Sequence, residues 1–224
     1  KNAPFASPKE SSTIVACAGN LCPYSAWSIK DETSYLPLSK INEHGIQVGF
    51  SGCAKGCGRH RHVDIGLIGL KTNNFGAADG GARVFLGASH TDGSCVNRMI
   101  FSMVPFVHLN KTLSLIIGVY ELSGERDFED FANSVLNKYS EEFLSLWFLA
   151  SLSTSQTLKI PSLETNESFE FERDLLKASF KDMDFLEDVN EGFTKSIGAI
   201  GKKLWTVEGE DSKYSPKMKR VAFR

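Results

Sequence analysis

Four of the five cysteines in this 224-residue chain fall into two close pairs, Cys17-x4-Cys22 and Cys53-x3-Cys57, with thirty residues between the pairs. Four thiolates are the ligand set for one [4Fe–4S] cube or one structural zinc ion. Both metals need the sulfurs to leave the backbone where it turns sharply. Gly19 lies inside the first pair, and Gly52, Gly56 and Gly58 surround the second, so the chain can turn there and bring N–H groups towards sulfur. Zinc knuckles favour a two-residue gap in at least one pair, which neither pair has. An odd cysteine count argues against a pure disulfide framework. An iron–sulfur cluster is therefore the first reading, with structural zinc and disulfides as alternatives, and the compartment expected is the reducing cytoplasm. Cys95 stands alone and reads as a small buried hydrophobe.

Directly after Cys57 comes Gly58-Arg59-His60-Arg61-His62, four side chains able to carry positive charge beside the loop of the second cysteine pair. Such a run can bind carboxylates or a small oxyanion, or it can be a solvated basic loop. Histidine ligation of iron by His60 or His62 is a weaker third reading. Charge is distributed in the same sense. Residues 1–120 hold 11 Lys/Arg against 7 Asp/Glu, a balance of +4, and residues 121–224 hold 14 against 20, a balance of −6, which together give the net −2. The cysteine-bearing half is the positive one, which points to an anionic ligand there. The excess is far too small for a nucleic-acid protein, and no basic stripe with interleaved aromatics occurs.

The elements that must present these residues are legible in outline. Thr13-Ile14-Val15-Ala16 reads as a short buried strand entering Cys17, and Ile46 to Ser51 alternates as a half-buried strand leading to Cys53. Residues 23–44 read as helical, with Gly45 as the stop. Val63 to Leu70 is a further strand, Lys71 to Gly81 a turn-rich connection around Asn73-Asn74, and Ala82 to Leu86 a hairpin partner. Val96, Ile100, Met103 and Val107 share a helical face that Pro105 must kink or end. Leu113, Ile116, Ile117 and Tyr120 form a second stripe. Phe128, Phe131, Val135, Tyr139, Phe143 and Leu146 form a third, after a break at Ser123-Gly124. These stripes are core-facing rather than a ligand box.

The remaining segments show a linker or surface crossing over 151–168, a long amphipathic helix over about 172–200, and a short strand over 203–207. With 42% hydrophobic and 23% charged residues, the composition is that of a globular protein. No apolar run is long enough for a membrane helix, and no secretory leader is visible. The chain begins with Lys1 rather than Met, so an upstream segment is expected to have been removed. The expected class is α+β, a mixed β-sheet with flanking helices over residues 1–150, followed by a linker and helical C-terminal appendage over 151–224.

The strings Ala16-Cys17-Ala18-Gly19 and Ser51-Gly52-Cys53-Ala54-Lys55-Gly56-Cys57-Gly58-Arg59, with Val63-Asp64-Ile65-Gly66-Leu67-Ile68-Gly69 after them, resemble the cluster domain of sirohaem-dependent sulfite and nitrite reductases. Val84-Phe85-Leu86-Gly87 is similar to that family's strand and glycine turn, and Gly124-Glu125-Arg126-Asp127-Phe128-Glu129-Asp130-Phe131 to the sequence near the domain's end. The resemblance covers about residues 12–148. It implies the nitrite/sulfite reductase 4Fe–4S domain-like fold, with a [4Fe–4S] cluster held by Cys17, Cys22, Cys53 and Cys57 and coupled to sirohaem. Cys57 would bridge a cluster iron to the haem iron and so take part in catalysis. Arg59, with His60 and Arg61, would pair with sirohaem carboxylates. Electrons from a ferredoxin or flavoprotein would serve a six-electron reduction of sulfite to sulfide or nitrite to ammonia.

Gly56 before the last cysteine is more like the sulfite branch. The first pair departs from the family pattern, with four residues (Ala18 to Leu21) where five are usual. The family's substrate-gripping basic residues come largely from an N-terminal half that does not precede Lys1. That half of the same reductase is the expected partner, and the chain alone is expected to be inactive. Two alternatives are a precorrin-3B synthase-like enzyme of cobalamin synthesis, whose motif the second cysteine pair also resembles, and a non-catalytic iron–sulfur or zinc-stabilised module.

Overall fold

The structure is a computed structural model that describes residues 13–25, 27–75, 78–89, 91, 93–181, 183, 189–190 and 192–205. Its centre is a five-stranded mixed sheet whose strands lie in chain order: β1 (Ile14–Ala16), β2 (Val48–Ser51), β3 (Ile65–Phe75), β4 (Ala78–Leu86) and β5 (Arg98–Pro105). The first three strands run parallel, and β4 and β5 are antiparallel to their neighbours. Parallel neighbours need a crossover of about a dozen residues or more. Between β1 and β2 the crossover carries α1 (Ile29–Glu32) and α2 (Leu38–Glu43). Between β2 and β3 it is the segment 52–64, which holds Cys53, Cys57 and the whole basic run.

Alternation along the strands separates the two faces of the sheet. Val48, Phe50, Ile65, Leu67, Ala82, Val84 and Leu86 point into one continuous hydrophobic core. Gly49, Gly66, Ile68, Arg83 and Phe85 occupy the alternate positions, paired across the strands as Gly49–Gly66, Gly66–Phe85 and Ile68–Arg83. The 52–64 crossover lies over that second face.

Helices cover the core face. α3 (Phe106–Ser123) starts directly after Pro105 and ends at Gly124, whose φ of 79° is the left-handed C-terminal cap. It buries Leu109, Leu113, Ile116, Ile117 and Tyr120. α4 (Phe128–Ser134) is capped by Asp127, whose carboxylate accepts from Asp130 N–H at 2.8 Å. α5 (Glu141–Thr154), capped by Ser140, is apolar nearly all round and buried accordingly. α6 (Phe169–Ser179) and α7 (Phe193–Trp205) contribute Leu176, Phe193, Ile200 and Trp205 to the same core. No helix among the described residues is long and apolar enough to cross a membrane.

The α+β class with a mixed sheet and flanking helices is as expected, and several elements differ from the sequence reading. The stripe Val96, Ile100, Met103 and Val107 is not one helical face: Ile100 and Met103 lie in strand β5, Val107 lies in α3, and Val96 and Val107 are exposed rather than core-facing. The burial of β5 runs in pairs because β-bulges shift its register against β4, and that pairing mimics a helical stripe. Pro105 closes the strand and opens α3. β3 continues through Asn73-Asn74 to Phe75 and β4 begins at Ala78, so most of the expected turn-rich connection is strand, while 76–77 lie outside the described residues. Residues 23–44 form two short helices interrupted at Thr33–Leu36 and Pro37 rather than one. The third stripe is split into α4 and α5 by Val135 to Ser140. Glu172 to Ile200 is divided between α6 and α7, and part of the stretch between them lies outside the described residues. Lys203 to Trp205 ends α7 instead of forming a strand, while 206–207 lie outside the described residues.

Candidate functional site

Cys17 and the Cys53–Cys57 loop leave neighbouring parallel strands at the same end. Ile14 pairs with Val48 and Ala16 with Phe50, and the Cys17 N–H donates to the Phe50 carbonyl at 3.0 Å. The loops at the C-terminal ends of parallel strands are where such sheets carry their sites. Cys17 Sγ accepts two backbone hydrogen bonds, from Gly52 N–H at 3.0 Å and from Gly19 N–H at 3.3 Å. Two N–H dipoles aimed at one sulfur favour negative charge on it, as a metal-bound thiolate requires.

Glycine is obligatory at Gly52, where a Cβ would sit 2.0 Å from Ser25 Oγ and 3.3 Å from Cys17 Sγ. Cys22 follows the helical turn Gly19–Leu21, and its N–H closes that turn on the Gly19 carbonyl at 2.9 Å. Cys17, Cys22 and Cys53 are half-buried and Cys57 is exposed. Among the described residues no three His, Cys, Asp or Glu side chains gather closely enough to hold a metal ion. Cys95 is exposed, not buried. It lies in the surface loop before β5, bridged to Ser89, where no core is available to it.

The basic run is held hard against the sheet. Gly66 lets the His60 carbonyl approach to where a Cβ would be only 1.8 Å away. His60 is buried, its Nδ1 is 3.0 Å from Ser51 Oγ, and its ring lies 5.2 Å from that of Phe85. Ser51 Oγ also accepts from Gly58 N–H at 3.0 Å, so one buried hydroxyl ties the loop to the end of β2. Burial, and after it the charges of Arg61 and His62, push the His60 imidazole below its ordinary range. Arg59 is exposed and has φ of 59°, a left-handed conformation that a non-glycine residue adopts at a cost.

Lys55, Arg59, His60, Arg61 and His62 line a cavity of about 490 Å³ together with Arg83 and the apolar Ile68, Phe85 and Met99. No carboxylate is among its lining residues. The structure thus brings the predicted Arg59, His60 and Arg61 to one cavity beside the cysteine loop. A second cavity of similar volume, between α5 and α6, has mixed charge. There Arg98 donates to the Leu136 and Tyr139 carbonyls, and Glu172 accepts from Ser140 N–H and Oγ–H, both at 2.6 Å.

Two residues of this site carry no signal in the sequence. Asn97 is fully buried, and its Nδ2 donates to the carbonyls of His60 at 3.0 Å and Val63 at 2.6 Å, while its Oδ1 accepts from Ala88 N–H at 2.8 Å. Its own N–H donates to the Arg61 carbonyl at 3.0 Å, so a single side chain and its backbone clamp the basic loop to the loop after β4. Arg83 is the other. It stands in mid-strand between core residues, and only the alternation of β4 reveals that it faces the cavity.

Compared with known proteins, the chain matches no protein-family model and no curated protein.

Proposed function

We propose that the chain is the cluster- and sirohaem-bearing part of a reductase that takes sulfite to sulfide or nitrite to ammonia. The observation that carries this reading is the pair of backbone N–H groups on Cys17 Sγ, set at the end of parallel strands beside a cavity whose charged lining residues are all basic. The donor set fits the group: four cysteines on two glycine-framed loops for the cube, and Arg59 and Arg61 for the carboxylates of a tetrapyrrole.

In this reading Cys17, Cys22, Cys53 and Cys57 would hold the cluster, and Cys57, the exposed thiol, would also link it to the haem. The bound groups supply electron storage and delivery to an oxyanion. The chain's own residues do the rest. Gly19 and Gly52 orient N–H dipoles on Cys17 sulfur, which favours the charged ligand. Asn97 and Ser51 fix the loop so that Arg59 and Arg61 meet their anions without reorganisation. An N-terminal half of the same reductase and a ferredoxin or flavoprotein donor belong to the same proposal.

Anaerobic purification of the chain, followed by an absorption spectrum and metal analysis, tests it. Haem bands with about four non-haem irons per chain support the reading. A cluster without haem points to the cobalamin-pathway alternative, and zinc at unit stoichiometry without iron overturns both.

A further inference from the structure

We infer that Arg83 is the floor of a preformed anion site that takes a ligand carrying two or more carboxylates on an apolar body, with Lys55, Arg59 and Arg61 as its rim. The inference rests on the proposed function for the identity of the natural ligand, but the site itself is built by the polypeptide alone.

Arg83 pairs with Ile68 across the β3–β4 ladder and shares the cavity face with Phe85. Its Nε is buried and has no hydrogen-bond partner among the described residues. A guanidinium N–H withdrawn from water is costly unless something accepts from it, and the fork of Nε and Nη matches a carboxylate in bidentate fashion. Four cations line one cavity with no carboxylate among the lining residues; Lys55 lies over the Tyr24 ring at 3.4 Å and Arg61 over that of Phe85 at 5.8 Å, and their summed field favours an anion there. The apolar wall of Ile68, Phe85 and Met99 sets the class of ligand. A small inorganic oxyanion would leave that wall wet, whereas a ring bearing several carboxylates covers it and meets floor and rim together.

Titration calorimetry of the metal-free full chain at low ionic strength tests this, with benzene-1,3,5-tricarboxylate as the probe and benzoate and sulfate as comparators. The tricarboxylate is expected to bind more tightly than either comparator. Arg83→Gln is expected to weaken it about tenfold or more, and Arg83→Lys, which keeps the charge and loses the fork, by less. Arg126→Gln, on an exposed guanidinium paired with Asp127 and Asp130 outside the cavity, is expected to leave affinity unchanged. Near-UV circular dichroism verifies that each variant is folded, and Arg83→Lys carries the test if Arg83→Gln is not. Tricarboxylate affinity that is unaltered in the folded Arg83 variants, or no greater than that of benzoate, overturns the inference. Sulfate binding as tightly as the tricarboxylate overturns the ligand class.

Iron uptake is measured on the same proteins. Lost tricarboxylate binding with normal iron in the Arg83 variants supports the anion site and leaves the cluster reading standing. A chain that takes up no iron yet binds the tricarboxylate through Arg83 overturns the cluster reading alone.

Discussion

At the scale of single residues, the site depends on positions where one atom more or less decides the geometry. Gly52 is the sharpest case. Gly52→Ala places a methyl group 2.0 Å from Ser25 Oγ and against Cys17 Sγ, so the loop must shift and its N–H must leave the sulfur. The expected loss is about 1–3 kcal/mol of stability, read from the urea midpoint, together with reduced iron uptake on reconstitution. An unchanged midpoint with full iron uptake would show that the Gly52 contact does not matter. Arg59 is strained in the opposite sense. Its left-handed φ of 59° suits glycine, so Arg59→Gly is expected to raise stability by up to about 1 kcal/mol. The same change removes a rim charge and is expected to weaken carboxylate binding. Stability gained with function lost is the signature of a residue kept strained for its side chain.

At the scale of elements, the sequence is clearest where local rules decide. The strands entering Cys17 and Cys53 are located by their apolar runs, but their burial is the reverse of that expected, β1 being partly exposed and β2 buried throughout; Gly124 marks the end of α3 as its left-handed φ requires. Strand β5 is obscured because bulges replace alternation by pairs, burying Ile100 and Phe101 and then Val104 and Pro105 at a four-residue spacing close to that of a helix. Asn97 and Arg83 are obscured for a different reason. Their partners are set by the fold, with the Asn97 bonds spanning 34 and 37 residues of chain. The cysteine loop, by contrast, shows itself through residue type and spacing alone. Asn97 joins the 52–64 crossover to the loop after β4, so its removal acts on the element rather than the residue. Asn97→Ala leaves two carbonyls and one N–H without their buried partners and is expected to cost about 2–4 kcal/mol. Faster amide hydrogen exchange over 58–63 than in β3 would accompany it. A uniform change across both segments would contradict the clamp.

At the scale of the whole molecule, the sheet divides the labour. One face carries a core that continues from Ile29 through α3 and α5 to Trp205, and the other carries the cysteine loop and the cationic cavity. The helices after residue 150, for which the sequence offers only a packing role, are tied to that core through Glu172. This buried carboxylate in α6 accepts both the N–H and the hydroxyl of Ser140, the cap of α5. Burial raises its carboxyl above the ordinary range, with Ser140 opposing. A group raised in the folded state contributes fully below its unfolded value and loses that contribution as pH rises through the folded one. Glu172→Ala, which strands the Ser140 N–H, is expected to cost about 1–3 kcal/mol at neutral pH. Glu172→Gln keeps an acceptor without a charge and is expected to cost under about 1 kcal/mol there. Equal losses in the two variants, measured by urea unfolding, would contradict this link between α6 and α5.

The central claim is that the paired cysteines hold an iron–sulfur cube. The most direct measurement is iron and acid-labile sulfide per chain after anaerobic reconstitution, in the parent chain and in Cys17→Ser, Cys57→Ser and Cys95→Ser. The account predicts about four of each in the parent and in Cys95→Ser, and loss of both in Cys17→Ser and Cys57→Ser. Equal iron in all four proteins, or zinc in place of iron, would contradict it.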